Sequence, residues 1–469
     1  MIAGGGAVAR PAAYNRPVED LTTGSLPRHL LRTASFMLVT MLSQTLYLLV
    51  DLYWVGRLGK EAVAAVGLAA NISFVVLALT QVLGVGTTTL IAHASGARNR
   101  ERAREVFAQS LWLSGLSALL FFVVAYPGRR IYVDWFAADA LTAALGDDYL
   151  RWFVPALALQ FVLATMAAAL RGSGAFRAPM LVQVMTVAIN IVLAPILIFG
   201  WGTGVVIGVS GAAMASLVAI IAGIAWLSRE FVAMEAYLHV RPTETRPHPA
   251  LWRALVDIGL PAGAEFGLTA VFMFVVYAVT RPFGAAAQAG FGIGLRLVQS
   301  FFLPVVALGF SVAPVAGQNV GARRFDRVRE TLRTGIGLSV ALMVVLGAVL
   351  QLAAAGLVGV FSQDPGVIAV GSDYLRIVSW GFPASGIVFV TSSLFQALGR
   401  TLPPLLTSTV RNATVLGPVI WLAARPGFDL KIIWYLSLAA VAVHATANWL
   451  LVQRQIRRAE AVVVAAVVP

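Results

Sequence analysis

At 469 residues, 59% of them hydrophobic and 12% charged, with a mean hydropathy of +0.84, this chain carries roughly half the charge of an ordinary soluble domain. That composition excludes a water-soluble globular fold and predicts a polytopic helical membrane protein, since each crossing needs about 20 mostly apolar residues with internally satisfied backbone bonds. The net charge of +13 does not point to nucleic acid, because the basic residues are dispersed among short loops rather than clustered on a soluble face; the absence of cysteine excludes disulfides and thiolate metal sites.

Residues 1–27 mix Gly, Ala, Pro and charge without an apolar core of signal-peptide length, and read as a disordered cytoplasmic tail. Six apolar spans follow, with cores near 31–54, 64–94, 107–126, 149–170, 179–200 and 205–228. The polar, Pro-rich stretch 229–253, containing Arg241 to Pro249, reads as a cytoplasmic linker. Six further spans have cores near 255–280, 287–316, 333–361, 374–397, 403–424 and 432–452, before a second cytoplasmic tail at 456–469. The chain is thus expected to be an all-α integral membrane protein with twelve transmembrane helices, in lobes at 28–228 and 254–455.

The two halves repeat each other at a constant offset of 225. Gly96-Ala97-Arg98 recurs as Gly321-Ala322-Arg323, Tyr149-Leu150-Arg151 as Tyr374-Leu375-Arg376, Gly174 as Gly399 and Pro179 as Pro404. An even number of helices per repeat preserves orientation, so the lobes are expected to be related by a parallel repeat. That is a common build of secondary transporters, whose substrate site lies between the halves. Arginines concentrate in the N-terminal tail, in the loop holding Arg98, Arg100, Arg102 and Arg104, and in alternate segments thereafter. This bias places both termini in the cytoplasm and the chain in the inner (plasma) membrane. The positive charge then has membrane lipids as its partner, against anionic headgroups.

Of the acids, only Asp51 and Glu265 fall inside apolar spans, where an ionisable group is costly enough to be a functional candidate. Asp51 has a plainer reading at the outer interface, because Arg32 to Asp51 covers roughly 28 Å of helix. Glu265 lies one turn after Pro261, and its plainer reading is a carboxylate facing a polar cavity. Two arginines also fall within helices: Arg296, which can neutralise Glu265, and Arg411, which can snorkel to the interface. The histidines His29, His93, His239, His248 and His444 are scattered without metal-ligand spacing, and His93 reads as an interfacial histidine. Gly84-Val85-Gly86 lacks the lysine or acid of a nucleotide loop and suits close helix packing. No catalytic constellation, metal site or cofactor site emerges.

Several stretches together resemble the multidrug and toxic compound extrusion (MATE) family, over essentially all of both halves. They are Gln44 to Asp51, Val55-Gly56-Arg57-Leu58-Gly59, Ala64 to Gly67, Gly86 to Ala92 with Gly96-Ala97, Leu170 to Gly174, and Ile189 to Gly200. The resemblance implies a cation-coupled antiporter with two six-helix lobes around a central cavity. It implies a cation-linked polar cluster in the N-terminal lobe at Gln44, Asp51 and Asn190, with Ser216 at a hydroxyl position where threonine is common. Ala194 stands where the family commonly has an aspartate. Asp51 is then the lobe's only intramembrane carboxylate, which weakens a sodium site needing about six oxygens. A lone carboxylate still cycles a proton, because burial favours its neutral form and an opening cavity its ionised form.

The expected function is therefore a proton-coupled antiporter, with sodium as the other coupling ion, exporting amphipathic organic cations or other xenobiotics by alternating access. Glu265 is expected to attract the substrate, with Arg296 modulating it and Tyr47 among the substrate contacts, in a protein that works as a monomer. A lipid-linked sugar flippase is the alternative, disfavoured because Arg296 alone is well placed among the cavity arginines an anionic sugar lipid requires. A membrane-embedded transferase is less favoured, because it needs a sizeable loop with clustered acids or histidines.

Overall fold

The computed structural model describes residues 20–233, 246–423, 425 and 428–465. Residues 1–19 of the expected first tail, 234–245 of the expected linker and 466–469 of the expected last tail lie outside the described residues. The described residues form thirteen α-helices and one 3-10 turn at Arg281–Phe283, with no strand among them. The first lobe holds α1 (Leu26–Gly56), α2 (Lys60–Gly96), α3 (Arg100–Phe136), α4 (Ala140–Gly172), α5 (Arg177–Phe199) and α6 (Val209–Ala233). The second holds α7 (Pro249–Thr280), α8 (Ala285–Gly321), α9 (Phe325–Gly359), α10 (Pro365–Ser379), α11 (Phe382–Ala397), α12 (Leu402–Ala423) and α13 (Lys431–Ala465).

The offset of 225 carries one lobe onto the other. It takes both ends of α2 onto α8, and the start and end of α4 onto the start of α10 and the end of α11. Even the caps repeat: the Asp139 side chain accepts from Thr142 N at 2.8 Å, and Asp364 accepts from Val367 N at 3.0 Å, each satisfying an amide that the first helical turn leaves free. The tenth expected span differs from its sequence reading. It begins at Pro365 and is bent by 57° between α10 and α11. Pro383 has no amide hydrogen for the Ser379 carbonyl, and Gly381 stands beside the break. The first lobe accommodates Pro155 within an unbroken α4.

Among the described residues ten helices are long and apolar enough to cross a membrane, and the bent pair, taken as one span, makes an eleventh. The twelfth is α12, 22 residues long, whose polar run of Thr407, Ser408, Thr409, Arg411, Asn412 and Thr414 lowers its apolar character. Its length of about 33 Å matches the hydrocarbon thickness.

Two helices tie the lobes together. At its start α1 places Leu26 and Leu30 in the apolar core of α8, α9 and α11, while at its end Val55 joins the core of its own lobe. The same exchange occurs in α7: Leu251, the counterpart of Leu26, sits in the first lobe's core and Val276 in the second's.

The described residues ahead of α1, within the expected tail, pack against the second lobe. Leu21 is fully buried, its amide donates to Gln318 Oε1 at 3.1 Å, and its carbonyl accepts from Asn319 Nδ2 at 3.3 Å. Asp20 lies 3.5 Å from Arg98. Partial burial works against the Asp20 charge, but hydrogen bonds from Thr22 and the Arg98 guanidinium win and hold it below the usual carboxylate range. Helix also extends past the other expected boundaries. α6 runs to Ala233, α7 starts at Pro249, and α13 continues to Ala465 through most of the expected last tail.

Candidate functional site

Asp51 and Tyr47 are one turn apart on α1 and face α4, α5 and α6. Asp51 is buried, with Oδ1 lacking a hydrogen-bond partner. The Tyr47 hydroxyl meets Ser216 Oγ at 2.6 Å, and Asn190 Nδ2 donates to the same oxygen at 3.3 Å. Ser216 Oγ in turn donates to the Ala212 carbonyl at 3.1 Å, while Asn190 Oδ1 has no partner. Asn190 and Ser216 are buried, so this network closes one side of the Asp51 site with little solvent. Tyr149 of α4 lies within Coulombic reach of both Asp51 and Tyr47. The sequence reading recognised Tyr149 only as part of the repeat. Gln44 is exposed on α1, and among the described residues no hydrogen bond links it to this cluster. Ala194 is fully buried in the apolar core, where it supplies no ligand.

A second cluster lies in the other lobe, on α7, α12 and α13. Ser408 Oγ donates to Glu265 Oε1 at 2.8 Å. The cation that acts on Glu265 electrostatically is Arg411, whose guanidinium donates to Asn412 Oδ1 at 3.0 and 3.3 Å. Asn412 Nδ2 donates to the Leu268 carbonyl at 3.3 Å. On α13, Asn448 Oδ1 accepts from Thr407 Oγ1 at 2.6 Å. His444, one turn before Asn448, is buried with neither ring nitrogen hydrogen-bonded, within Coulombic reach of Arg411. Arg296 is not brought to this cluster. It is exposed on α8, and among the described residues no bond joins it to Glu265. The pairing with Arg296 expected from the sequence thus gives way to Arg411, because residues 408, 411 and 412 share the face of α12 that meets α7.

The two clusters are not copies. Shifted by 225, Asp51, Asn190 and Ser216 become Val276, Val415 and Val441. Shifted back, Glu265, Arg411, His444 and Asn448 become Thr40, Thr186, Ala219 and Gly223. Each lobe therefore has polar groups where the other is mostly apolar or small. They sit at different depths: Glu265 corresponds to Thr40, eleven residues from Asp51 along α1, or about 16 Å of helix.

The lobes pack closely on the half of the molecule that bears the two Gly-Ala-Arg loops. A β-carbon on Gly96 would lie 1.8 Å from the Gln318 carbonyl oxygen, and one on its counterpart Gly321 would lie 2.1 Å from that of His93. Further along, Gly259 of α7 leaves no room before the Val82 carbonyl of α2. Contacts of this kind reach Gly263 and Ala78; beyond them, Gly67 and Gly267 have no neighbour within 4 Å of a built β-carbon. Phe74, Val75, Val271 and Phe274, on the halves of α2 and α7 away from the Gly-Ala-Arg loops, are exposed. The Asp51 cluster lies on the open half of its lobe.

A profile of the family described as MatE matches residues 37–196 and 261–422, one segment in each lobe and more than half of the chain. The chain belongs to the MatE family. MatE proteins are transporters, and among this chain's relatives are proteins named for multidrug export. It is 26% identical to the probable multidrug resistance protein YoeA of Bacillus subtilis, over 88% of this chain and 91% of that protein. It is 27% identical to the multidrug export protein MepA of Staphylococcus haemolyticus, over 86% and 88%. Among solved MatE-type structures, the Vibrio cholerae MATE transporter VcmN in its bent form superposes with a TM-score of 0.85 at 25% identity, covering 92% of this chain and 98% of that one. The matched segments hold Tyr47, Asp51 and Asn190 of the first cluster and Glu265, Ser408, Arg411 and Asn412 of the second; Ser216, His444 and Asn448 lie outside them.

Proposed function

We propose that this chain is a proton-coupled antiporter that exports amphipathic organic cations from the cytoplasm by alternating access. The observation that carries the proposal is Asp51: a buried carboxylate, one oxygen without a hydrogen bond, beside the Tyr47–Ser216–Asn190 network on the open half of the lobe. An ionised carboxylate so buried is costly unless compensated, and taking up a proton is the simplest relief. Ala194 withholds the second carboxylate that a sodium ion would use.

With the Gly-Ala-Arg loops in the cytoplasm, the lobes are shut on the cytoplasmic side and open outward. In that state Asp51 can load a proton from outside while substrate leaves. Rocking the lobes then exposes the cleft to the cytoplasm, where Asp51 releases its proton and a cationic substrate meets Glu265. The names of the multidrug relatives support the substrate class. Reconstitution in proteoliposomes tests this reading, with an imposed proton or sodium gradient and a panel of fluorescent cationic dyes. Dye movement driven by the proton gradient in sodium-free buffer is expected. Movement only under a sodium gradient would overturn proton coupling, and movement of neutral or anionic solutes alone would overturn the substrate class.

A further inference from the structure

The end of the molecule where the lobes close carries one more matched pair. His93 and Gln318 are 225 residues apart and occupy the same place on α2 and α8. His93 Nε2 donates across the lobe boundary to the Ala397 carbonyl at 2.6 Å, and Gln318 Nε2 donates across it, in the opposite sense, to the Gly172 carbonyl at 3.2 Å. The two acceptors are also counterparts, being the last residues of α11 and α4.

Helix ends leave carbonyls without amide partners and gather partial negative charge there. The turns that follow satisfy Arg171 and Gln396, through Gly174 N and Gly399 N, but no backbone amide reaches Gly172 or Ala397. Each lobe therefore supplies the cap that the other lobe's helix lacks. Gly96 and Gly321 bring the backbones close enough for both donors to reach. Thr89 Oγ1 adds a third crossing bond, to the Gln396 carbonyl at 3.1 Å.

We infer that His93 and Gln318 are paired latches of the cytoplasmic gate, each capping a helix of the opposite lobe in the outward-open state and releasing it when the gate opens. This rests on the alternating-access reading above. A bond made in only one of two states shifts their populations, whereas one kept in both shifts nothing. The symmetry supplies a specific corollary: since imidazole and carboxamide already do the same work at equivalent places, His93→Gln preserves the latch and His93→Ala removes it.

The chain has no cysteine, so gate opening can be read from a single introduced thiol. Val85→Cys, a buried position on α2 close to Gln396 and Arg171, is labelled with a membrane-impermeant maleimide in full-length protein in vesicles of each orientation. His93→Ala and Gln318→Ala are each expected to raise labelling from the Gly-Ala-Arg side by about two- to ten-fold, the range of one net hydrogen bond, and their combination further. His93→Gln is expected to stay near the parent rate. Unchanged labelling in both alanine variants overturns the inference, as does His93→Gln opening the gate as much as His93→Ala. Exposed Ala97→Cys reports separately which compartment that side faces; a reversed result would sink the orientation proposed above while leaving the comparison between latch variants intact.

Discussion

Asp51 and Glu265 are both carboxylates within apolar spans, yet their surroundings differ. Asp51 has a buried oxygen with no donor, whereas Glu265 accepts from Ser408 and has the charge of Arg411 nearby. Glu265 therefore has compensation in place and suits the static role proposed for it, attracting a cation that Arg411 tempers. Glu265→Gln should weaken binding of cationic dyes by about ten-fold, corresponding to ~1.4 kcal/mol, and leave neutral ligands little affected; equilibrium fluorescence titration of both dye classes checks this. Equal losses for both would assign Glu265 to holding α7 against α12. Both acids were legible in the sequence because a charge inside an apolar run stands out. Arg411, Asn412, His444 and Asn448 were not recognised as Glu265's surroundings because they come from α12 and α13, far along the chain, and only tertiary packing brings them to α7. The spacings Ser408–Asn412 and His444–Asn448, each one helical turn, were the local signal available.

Among the elements, α2, α7 and α8 form the closing surface, and glycine makes their approach possible. Gly259 is the clearest case, since a β-carbon there would lie 1.7 Å from the Val82 carbonyl oxygen, so that a backbone must move. Gly259→Ala should cost the closed state on the order of 1–3 kcal/mol, the usual range for overpacking, and leave the open state less affected. Distance distributions between spin labels on the two Gly-Ala-Arg loops should shift toward the wider population, with transport falling in parallel. An unaltered distribution would mean that α2 and α7 yield cheaply. The helices themselves followed from the repeat and from apolar span length. The 57° break did not, because Pro383 and Pro155 look alike in sequence and only one of them parts its helix. Nor did the order of residues 20–25, where a single apolar anchor, Leu21, and a few backbone bonds fix a polar stretch.

For the whole molecule, duplication gives two lobes of the same fold with different polar contents, and the proposed function assigns proton titration to one cluster and cation attraction to the other, at different depths. Leu26 and Leu251 sit in opposite cores, so α1 and α7 are the arms that the proposed rocking of the lobes uses. The proposed function requires Asp51 to gain and lose a proton as the cleft changes sides, which Asn in its place cannot do while retaining size and hydrogen bonding. The most direct measurement compares wild type with Asp51→Asn in proteoliposomes, recording proton-gradient-driven efflux of a cationic dye and, in the same preparation, dye exchange at equilibrium without a gradient. The account predicts that Asp51→Asn loses gradient-driven efflux while retaining measurable exchange. Gradient-driven efflux at the wild-type rate, with the wild-type pH dependence, would contradict it.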